Sequence, residues 1–303
     1  MAAFKKIAIF GVGLIGGSFA LALKKSGVVN EVLGVGRRPE TLVRAAELGI
    51  IDSHTEDVAQ AVSGADLVLI AAPVAQTASL LHAMAPHLGA DTVVTDAGST
   101  KTDVVAAARA ALGSKIHQFV PGHPIAGREQ NGPEAALSDL YVGKKIILTA
   151  LPENPAAAVD RVTDAWQRCG ALVHHLTAEE HDAVFAAVSH LPHVLAYALV
   201  ADIAARSDAA RLFQYAASGF RDFTRIAGSS PEMWRDIALA NRTAVLGELD
   251  AYMAKLSQIR GLIEQADGPA LEKIFGSAQA ARQAWIAAIE AAEQARSFEQ
   301  GGD

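Results

Sequence analysis

The segment that most constrains the fold of this 303-residue chain is IAIFGVGLIG, residues 7–16. An apolar run typical of a buried strand leads directly into the spacing Gly-x-Gly-x-x-Gly, and a helical pattern follows. In such a unit Gly11 permits the tight turn, Gly13 lets the backbone approach a diphosphate, and Gly16 lets the helix pack closely on the strand. The free N–H groups and the dipole at the start of the helix attract an anion. The segment therefore predicts a dinucleotide site that includes Gly11, Gly13, Leu14, Ile15 and Gly16.

Up to about residue 176, short β-branched runs alternate with alanine-rich helical stretches. The predicted strands are Lys6–Phe10, Glu31–Val35, Asp66–Ala71, Thr92–Asp96, Gln118–Val120, Lys145–Thr149 and Leu172–His174. The predicted helices between them include Leu14–Lys25, Pro39–Leu48, Gln76–Ala85 and Thr102–Leu112. Mostly apolar strands in this alternation are typical of a parallel sheet covered on both faces. Residues 1–176 are therefore predicted to form an α/β, Rossmann-type dinucleotide-binding domain.

After about residue 177 the strand pattern stops and the chain reads as helical. Thr177 and Glu180 have the spacing of a capping box that opens a helix. The segment Val194–Ala205 is apolar on more than one face, and such a helix must be buried in its own domain or against a second subunit. We therefore expect an all-α domain over 177–297 that binds substrate and forms a homodimer, followed by a polar tail at 298–303.

Composition and charge argue against several classes of protein. A net charge of −7 without a basic block disfavours nucleic-acid binding, which needs a concentrated Lys/Arg surface. The one cysteine, Cys169, cannot form an internal disulfide, so a reducing compartment fits. No apolar signal segment precedes the glycine turn, and Ala183–Ala205 contains two histidines, a proline and an aspartate, which favours a buried helix over a membrane span. A cytoplasmic protein without nucleic-acid or membrane partners is predicted.

The residues after the second predicted strand bear on the choice of cofactor. A site that prefers NAD places Asp or Glu about 20 residues after the glycine turn, where it binds the ribose 2′-hydroxyl. That position is Gly36 in this chain, and Arg37 and Arg38 follow it. Because a 2′-phosphate is a dianion that suits arginine, the pattern favours NADP over NAD. The alternative is that both arginines are solvated at the start of a helix.

Polar loops are predicted at the carboxyl edge of the sheet, where ligands of open α/β sheets bind. These loops are Ala71–Pro73, Asp96–Lys101 and Pro121–Gly127. We expect Ala72, Pro73 and Ser99 to lie beside the cofactor, and Ser99 and Thr100 are also candidates for capping the next helix. His123 in the third loop is the natural acid–base group near neutral pH, although a lone loop histidine is more often just exposed.

The helical half carries further candidate ligands. His190 and His193 are three residues apart and share one helix face, and so do Arg221 and Arg225, which are four apart. Arginines in an apolar helical segment are candidates for binding a carboxylate, and pairing with acidic neighbours is the alternative for each of them. No third ligand at suitable spacing accompanies the two histidines, so no metal site is predicted.

Taken together, these segments resemble the prephenate/arogenate dehydrogenase family of tyrosine biosynthesis. The matching pieces, in the order in which the family has them, are GVGLIGGS (11–18), TDAGSTK (95–101), GHPIAGREQNG (122–132), LYVGKKIILT (140–149), EEHDAVFAAVSHLPHVLA (179–196) and FRDFTRIAGSSPEMWRDI (220–237). They span nearly the whole chain, and the pieces after the glycine turn are much more specific than the turn itself.

The resemblance implies an oxidative decarboxylation of arogenate, prephenate or both, with a nicotinamide cofactor that the residues after the second strand indicate to be NADP. Hydride leaves C4 of the substrate for the nicotinamide, CO₂ leaves C1, and the ring becomes aromatic. By the same resemblance, His123 accepts a hydrogen bond from the 4-hydroxyl, and Ser99 orients this histidine and the hydroxyl. Arg225 would grip a substrate carboxylate, while His193 and His190 belong to the substrate-facing helix. Gly36 departs from the acidic residue of NAD-using members, which puts NAD in doubt.

Two alternatives stay open at this point. A different dehydrogenase of this architecture, such as a β-hydroxyacid dehydrogenase, would place a catalytic lysine on the first long helix, and Ala178–Ala205 contains no lysine. A non-catalytic NADP sensor would keep the glycine turn and Arg37. It would not need His123, Ser99 and Arg225 together.

Overall fold

A computed structural model describes residues 3–128 and 130–300 of the chain. The chain divides into two compact units, of which the first ends at Val245 and the second begins at Leu246. The first unit contains every β-strand of the described residues and the helices that carry the candidate site. The second unit is helical.

A six-stranded parallel sheet forms the centre of the first unit, in the order β3-β2-β1-β4-β5-β6. Its strands are β1 Phe4–Phe10, β2 Val29–Val35, β3 Ser53–Thr55, β4 Leu67–Ile70, β5 Val93–Asp96 and β6 Phe119–Val120. The helices that connect them are α1 Leu14–Lys25, α2 Pro39–Glu47, α3 Val58–Val62, α4 Thr77–Met84 and α5 Thr102–Leu112. This order is that of a Rossmann fold, and it reverses between β1 and β4, where such folds bind dinucleotides. The predicted Rossmann-type fold is confirmed.

The sheet is covered on both faces because its central strands are apolar in both directions. On β1, Ile7 and Ile9 point into one hydrophobic core together with Trp166. Ala8 and Phe10 point into a second core, which α4 and α5 complete. Successive side chains of a strand alternate between faces, so a continuous apolar run fills two cores at once.

A second, three-stranded sheet extends the first unit and was not predicted as a separate sheet. It consists of β7 Gly122–Pro124, β8 Lys145–Leu148 and β9 Leu172–His175, with α6 Ala156–Arg168 between the last two. β7 runs antiparallel to β8 and pairs His123 with Ile147. The prediction that His123 lies in a loop is therefore wrong. Glycine and proline are rare in strands, so the sequence does not predict β7. It becomes a strand only through its long-range pairing with β8.

Beyond β9 the described residues are helical, which confirms the predicted all-α half. The helices are α7 Ala178–Phe185, α8 Leu191–Ala204, α9 Ala209–Gln214, α10 Ser218–Thr224, α11 Pro231–Ala240, α12 Arg242–Glu264 and α13 Gly268–Gln300. Thr177 and Glu180 form the predicted capping box at the start of α7. The predicted tail at 298–303 begins inside α13, and its last residues, 301–303, lie outside the described residues.

The helical stretch Ala178–Ala204 is long and apolar enough to cross a membrane by length and composition alone. Only 28% of its apolar window is buried within this chain. The predicted burial inside its own domain is therefore not found. The sequence also indicates a second subunit as the partner of this surface, and that alternative stays a prediction.

Candidate active site

The glycine turn between β1 and α1 has the backbone geometry predicted for it. Gly11 has φ +97°, and a Cβ there would lie 2.6 Å from the carbonyl oxygen of Ala71. A Cβ on Gly16 would lie 2.2 Å from the Gly11 oxygen, so only glycine lets α1 pack this closely on β1. Among the described residues, no atom other than those of Gly13 and its chain neighbours lies within 4 Å of the Cβ position of Gly13. The turn therefore leaves open space beside the backbone of Gly13.

The start of α1 fits the diphosphate of a dinucleotide. Gly13 is the N-cap of α1 and has no side chain that could satisfy the first N–H groups of the helix. The Tyr141 hydroxyl donates a 2.6 Å hydrogen bond to the Ile15 carbonyl and so anchors this first turn. Ala72 and Pro73 begin two residues after the end of β4, on the other side of the point where the strand order reverses. Their contact with a cofactor stays a prediction.

The end of β2 presents the two arginines predicted to bind a 2′-phosphate. Arg37 and Arg38 are exposed, and within the part of the chain that the structure describes neither side chain takes part in an ion pair. A Cβ on Gly36 would lie 3.3 Å from the Cδ2 methyl of Leu42, a close contact that a small movement of that side chain would relieve. The exposed arginines remain compatible with the NADP prediction.

A buried ion pair joins the end of β5 to the start of α5, and its carboxylate also binds β7. Lys101 Nζ lies 2.5 Å from Asp96 Oδ2, and both side chains are almost completely buried. The second carboxylate oxygen of Asp96 accepts a 3.0 Å hydrogen bond from the Gly122 N–H. Because each charge has a partner and the oxygens are satisfied, this pair holds β7, and with it the backbone of His123, at the carboxyl end of β5.

The side chain of His123 is held by a second histidine. His123 Nδ1 lies 2.8 Å from His181 Nε2, and His181 Nδ1 lies 2.8 Å from Asp182 Oδ1. The ring of Phe185 packs edge-on against His123 at a centroid distance of 5.0 Å. The resemblance had implied that Ser99 orients His123, but in the described part of the chain the Ser99 hydroxyl makes no hydrogen bond to His123. The orienting role of Ser99 stays a prediction.

Burial keeps the histidines of this cluster neutral. Desolvation, together with the nearby groups His181, Lys101 and His190, holds the pKa of His123 well below its ordinary value of 6.5. Desolvation also lowers the pKa of His181, although its hydrogen bond to Asp182 opposes the shift. These rings are therefore uncharged near neutral pH.

Asp182 is the ionised end of the chain of hydrogen bonds. Burial alone would raise its pKa, but hydrogen bonds from His181, Thr102 and two backbone N–H groups together lower it. Its oxygens accept from the Lys101 N–H at 2.8 Å and the Thr102 N–H at 2.9 Å, which caps the start of α5. The predicted capping by Ser99 and Thr100 is therefore wrong, because a residue from α7, 80 positions away in sequence, takes that place.

His190 lies deeper than predicted for a residue that binds substrate. It is 1% exposed, and burial lowers its pKa to about 4. The Asn241 amide donates to His190 Nδ1 at 3.1 Å and to the Asp182 carbonyl at 2.8 Å. The His190 ring also hydrogen-bonds the backbone of Ser99. His190 thus connects Asn241, at the end of α11, with the loop after β5, and its direct contact with substrate stays a prediction.

His193 lines a small cavity, and the charge of Arg225 lies near it. His193 Nδ1 donates to the Ser189 carbonyl at 2.9 Å, and its ring stacks on Trp234 at a centroid distance of 3.4 Å. The cavity of about 220 Å³ is lined by His193, Val194, Tyr197, Pro231, Trp234 and Arg235. The charge of Arg225 is close enough to contribute to a lowered pKa of His193, after burial, the largest cause. Most of the lining is apolar or aromatic, and Arg235 pairs with Asp236 at 2.6 Å. Such a lining is typical of a pocket for a small ring compound.

Several residues of the site were not predicted. His181, Asp182, Lys101 and Asn241 were passed over because each is buried and acts on another residue. The piece EEHDAVFAAVSHLPHVLA contains the first two, and its adjacent His-Asp pair was the available signal. Within residues 3–128 and 130–300 no group of three metal-binding side chains is found.

Comparison with protein families and known structures adds an independent observation. The family model described as "Prephenate dehydrogenase, nucleotide-binding domain" matches residues 19–175, and "Prephenate dehydrogenase, dimerization domain" matches residues 177–277. The chain belongs to the prephenate dehydrogenase family. Members of the family are oxidoreductases of aromatic amino acid biosynthesis that act on a small-molecule substrate, and the same holds for this chain.

Relatives of the family agree with this assignment. The cyclohexadienyl dehydrogenase of Zymomonas mobilis is 39% identical over 93% of this chain and 96% of its own. The Aquifex aeolicus prephenate dehydrogenase, solved with hydroxyphenyl propionate and NAD⁺, is 36% identical with a TM-score of 0.86, covering 92% of this chain and 97% of its own. The Synechocystis arogenate dehydrogenase is 28% identical with a TM-score of 0.78, covering 92% of this chain and 99% of its own.

Proposed function

We propose that this protein catalyses the NADP-dependent oxidative decarboxylation of arogenate, prephenate or both, with His123 as the hydrogen-bond acceptor for the substrate hydroxyl. The observation that carries the proposal is the state of His123: its ring lies at the carboxyl edge of the sheet, neutral, with Nδ1 engaged by His181. Nε2 is then the ring nitrogen that meets the substrate. A neutral acceptor draws the hydroxyl proton toward itself and weakens the neighbouring C–H bond toward hydride loss.

The remaining residues bind and orient the substrate in this proposal. Arg225 pairs with a substrate carboxylate near His193, whose ring is held between Ser189 and Trp234. His190 supports the loop that carries Ser99, and Ser99 meets the substrate hydroxyl or the cofactor. The rings of His193 and Trp234 exclude water, which strengthens the polar contacts with the substrate.

The cofactor is NADP in this proposal. When bound, the nicotinamide accepts the hydride; the turn at Gly11, Gly13 and Gly16 holds its diphosphate. Arg37 and Arg38 pair with the 2′-phosphate, and the absence of a carboxylate at Gly36 supports this choice. The neighbour from Aquifex aeolicus binds NAD⁺, which makes a direct comparison of both cofactors necessary.

Arogenate and prephenate differ at the side chain, which carries an ammonium in one and a keto group in the other. The relatives carry names for both activities, and the Zymomonas mobilis enzyme is named for the wider cyclohexadienyl class. The proposed use of NADP favours activity on arogenate, or on both substrates, over activity on prephenate alone. We further propose a cytoplasmic homodimer formed through the helical half, since the matched family model is a dimerisation domain.

The decisive test is an assay of both substrates against both cofactors. The expected result is NADPH formation with at least one substrate and a higher kcat/KM with NADP⁺ than with NAD⁺. Absence of turnover in all four combinations would overturn the proposed function. A preference for NAD⁺ would overturn the cofactor part alone.

The role of His123 is tested by His123→Asn, which retains a polar side chain of smaller size. We expect kcat to fall at least about a hundredfold, the low end of what a positioned acid–base group contributes, while the affinity for NADP⁺ stays near that of the wild type. A kcat close to that of the wild type would remove His123 from the reaction.

The role of Arg37 is tested by Arg37→Ala, with Arg44→Ala as a control that removes the same charge from the following helix. We expect Arg37→Ala to weaken NADP⁺ binding about tenfold or more, as a lost charge-assisted pair of this type does, and to change NAD⁺ binding little. Equal losses for both cofactors, or equal effects of the two variants, would contradict the 2′-phosphate clamp.

A further inference from the structure

A linear chain of three side chains runs inward from His123. His181 comes from α7 and is completely buried, and its Nε2 lies 2.8 Å from His123 Nδ1. The other nitrogen of His181 lies 2.8 Å from Asp182 Oδ1. In the proposed reaction His181 only occupies Nδ1 of His123, and Asp182 has no role.

The protonation state of Asp182 decides where the protons lie in the hydrogen-bonded series His123–His181–Asp182. The Asp182 carboxylate accepts hydrogen bonds from two backbone N–H groups and the Thr102 hydroxyl, so it is ionised and can only accept. His181 Nδ1 must then carry the proton that it donates to Asp182. A neutral imidazole has one N–H, which leaves His181 Nε2 as an acceptor. The proton between the two histidines therefore belongs to His123 Nδ1.

We propose that His181 and Asp182 are positioning residues that hold His123 in the tautomer with its proton on Nδ1 and its lone pair on Nε2. The inference rests on the proposed function in one respect, since an acceptor at Nε2 is what the substrate hydroxyl needs. The opposite tautomer would present an N–H to that hydroxyl and could not draw its proton away.

Neighbouring groups restrain this arrangement. Phe185 packs against both rings, at centroid distances of 5.0 Å from His123 and 4.6 Å from His181. Asn241 holds the backbone of Asp182 by donating to its carbonyl. The charged or titratable groups that face His123 are Lys101, His181 and His190, and the Lys101 cation disfavours an imidazolium form of either His123 or His181.

The tautomer is measured directly on the full chain labelled with ¹⁵N-histidine, by long-range ¹H–¹⁵N correlation of the imidazole nitrogens near pH 7.5. The loss of signals in His123→Asn assigns His123. The expected spectrum has a protonated Nδ1 and an unprotonated Nε2 in the wild type. A protonated Nε2 in the wild type would overturn the proposal, and this measurement depends on no variant that changes His181.

Three variants then distinguish the positioning of His123 from a general loss of packing around it. His181→Phe removes the acceptor but keeps an aromatic ring, and His181→Gln restores an acceptor near the Nε2 position. Thr102→Val is the matched control, because it removes a hydrogen bond to Asp182 on the side away from His181. We expect a mixed or Nε2–H tautomer of His123 only in His181→Phe.

Kinetics give the second readout. We expect kcat to fall about tenfold in His181→Phe, which corresponds to a lost hydrogen bond, with partial recovery in His181→Gln and an unchanged KM for the cofactor. A kcat loss in Thr102→Val equal to that in His181→Phe would overturn the proposal, as would an unaltered tautomer in His181→Phe. Failure of the proposed function would give a different result. The wild-type protein would show the predicted tautomer of His123, but His123→Asn would have the kcat of the wild type.

Discussion

At the scale of single residues, the candidate site depends on histidines that fold as neutral groups. His123 is surrounded by Lys101, His181 and His190, and burial holds its pKa well below 6.5. Burial also lowers the pKa of His190, to about 4, although the Asp182 carboxylate opposes the shift. A neutral ring can accept a hydrogen bond, whereas an imidazolium cannot. The low dielectric of the site therefore selects the form that the proposed reaction uses.

This state predicts the pH profile of kcat/KM. A histidine whose pKa is lowered in the folded protein stays neutral above that pKa, so activity is kept as the pH falls through 6.5 and is lost only at lower pH. We expect the acid limb of kcat/KM for the free enzyme to lie clearly below pH 6.5. An acid limb at or above pH 6.5 that vanishes in His123→Asn would contradict the lowered pKa.

At the scale of elements, the turn between β1 and α1 separates two kinds of glycine. Gly11 and Gly16 are required by the fold, since a Cβ on either would meet backbone atoms at 2.6 Å and 2.2 Å respectively. Gly13 has φ −104°, a value that any residue adopts, and open space at its Cβ position. The fold does not require glycine there, and we expect the bare backbone of Gly13 to serve cofactor binding.

Paired alanine variants test this distinction. Gly11→Ala should lower the free energy of unfolding by roughly 1–3 kcal/mol, because it forces a Cβ into a left-handed backbone conformation against Ala71. Gly13→Ala should leave thermal stability unchanged and weaken cofactor binding about tenfold or more, equivalent to about 1.4 kcal/mol. Thermal unfolding and cofactor titration measure the two effects. A Gly13→Ala variant that unfolds early but binds normally would reverse the assignment.

At the scale of the whole molecule, the helical half leaves much apolar surface uncovered. In α12 the exposed side chains Leu246, Met253, Leu256 and Ile263 recur at intervals of seven, three and seven residues. Such spacing places them on one stripe of the helix, as in a helix that packs along its length on another. Uncovered apolar stripes of this kind are typical of subunit interfaces, in agreement with the match to a dimerisation domain.

We expect the protein to sediment as a dimer and Leu256→Asp to shift it toward the monomer. The added charge would have to be buried in the interface, which is unfavourable. Gln258→Asp places the same charge on the opposite side of α12 and serves as the control. Analytical ultracentrifugation measures both variants. A Leu256→Asp protein that dimerises as tightly as Gln258→Asp would exclude this stripe from the interface.

The sequence by itself determined the Rossmann-type half and the all-helical half, because apolar runs, glycine spacing and helix caps act over a few residues. It also brought His123, Ser99, His193 and Arg225 forward as candidates, through motifs that are continuous in the chain. The resemblance to a family, which the comparisons bear out, came from the same motifs.

Only the tertiary structure decided what holds His123. The strand β7 exists through pairing with β8, and the cap of α5 comes from Asp182, which lies on α7. The link between His123 and His181 joins residues 58 positions apart, so no local pattern could reveal it. Burial then decided the charge of each ring, because desolvation depends on what surrounds a residue in space and not on its neighbours in sequence.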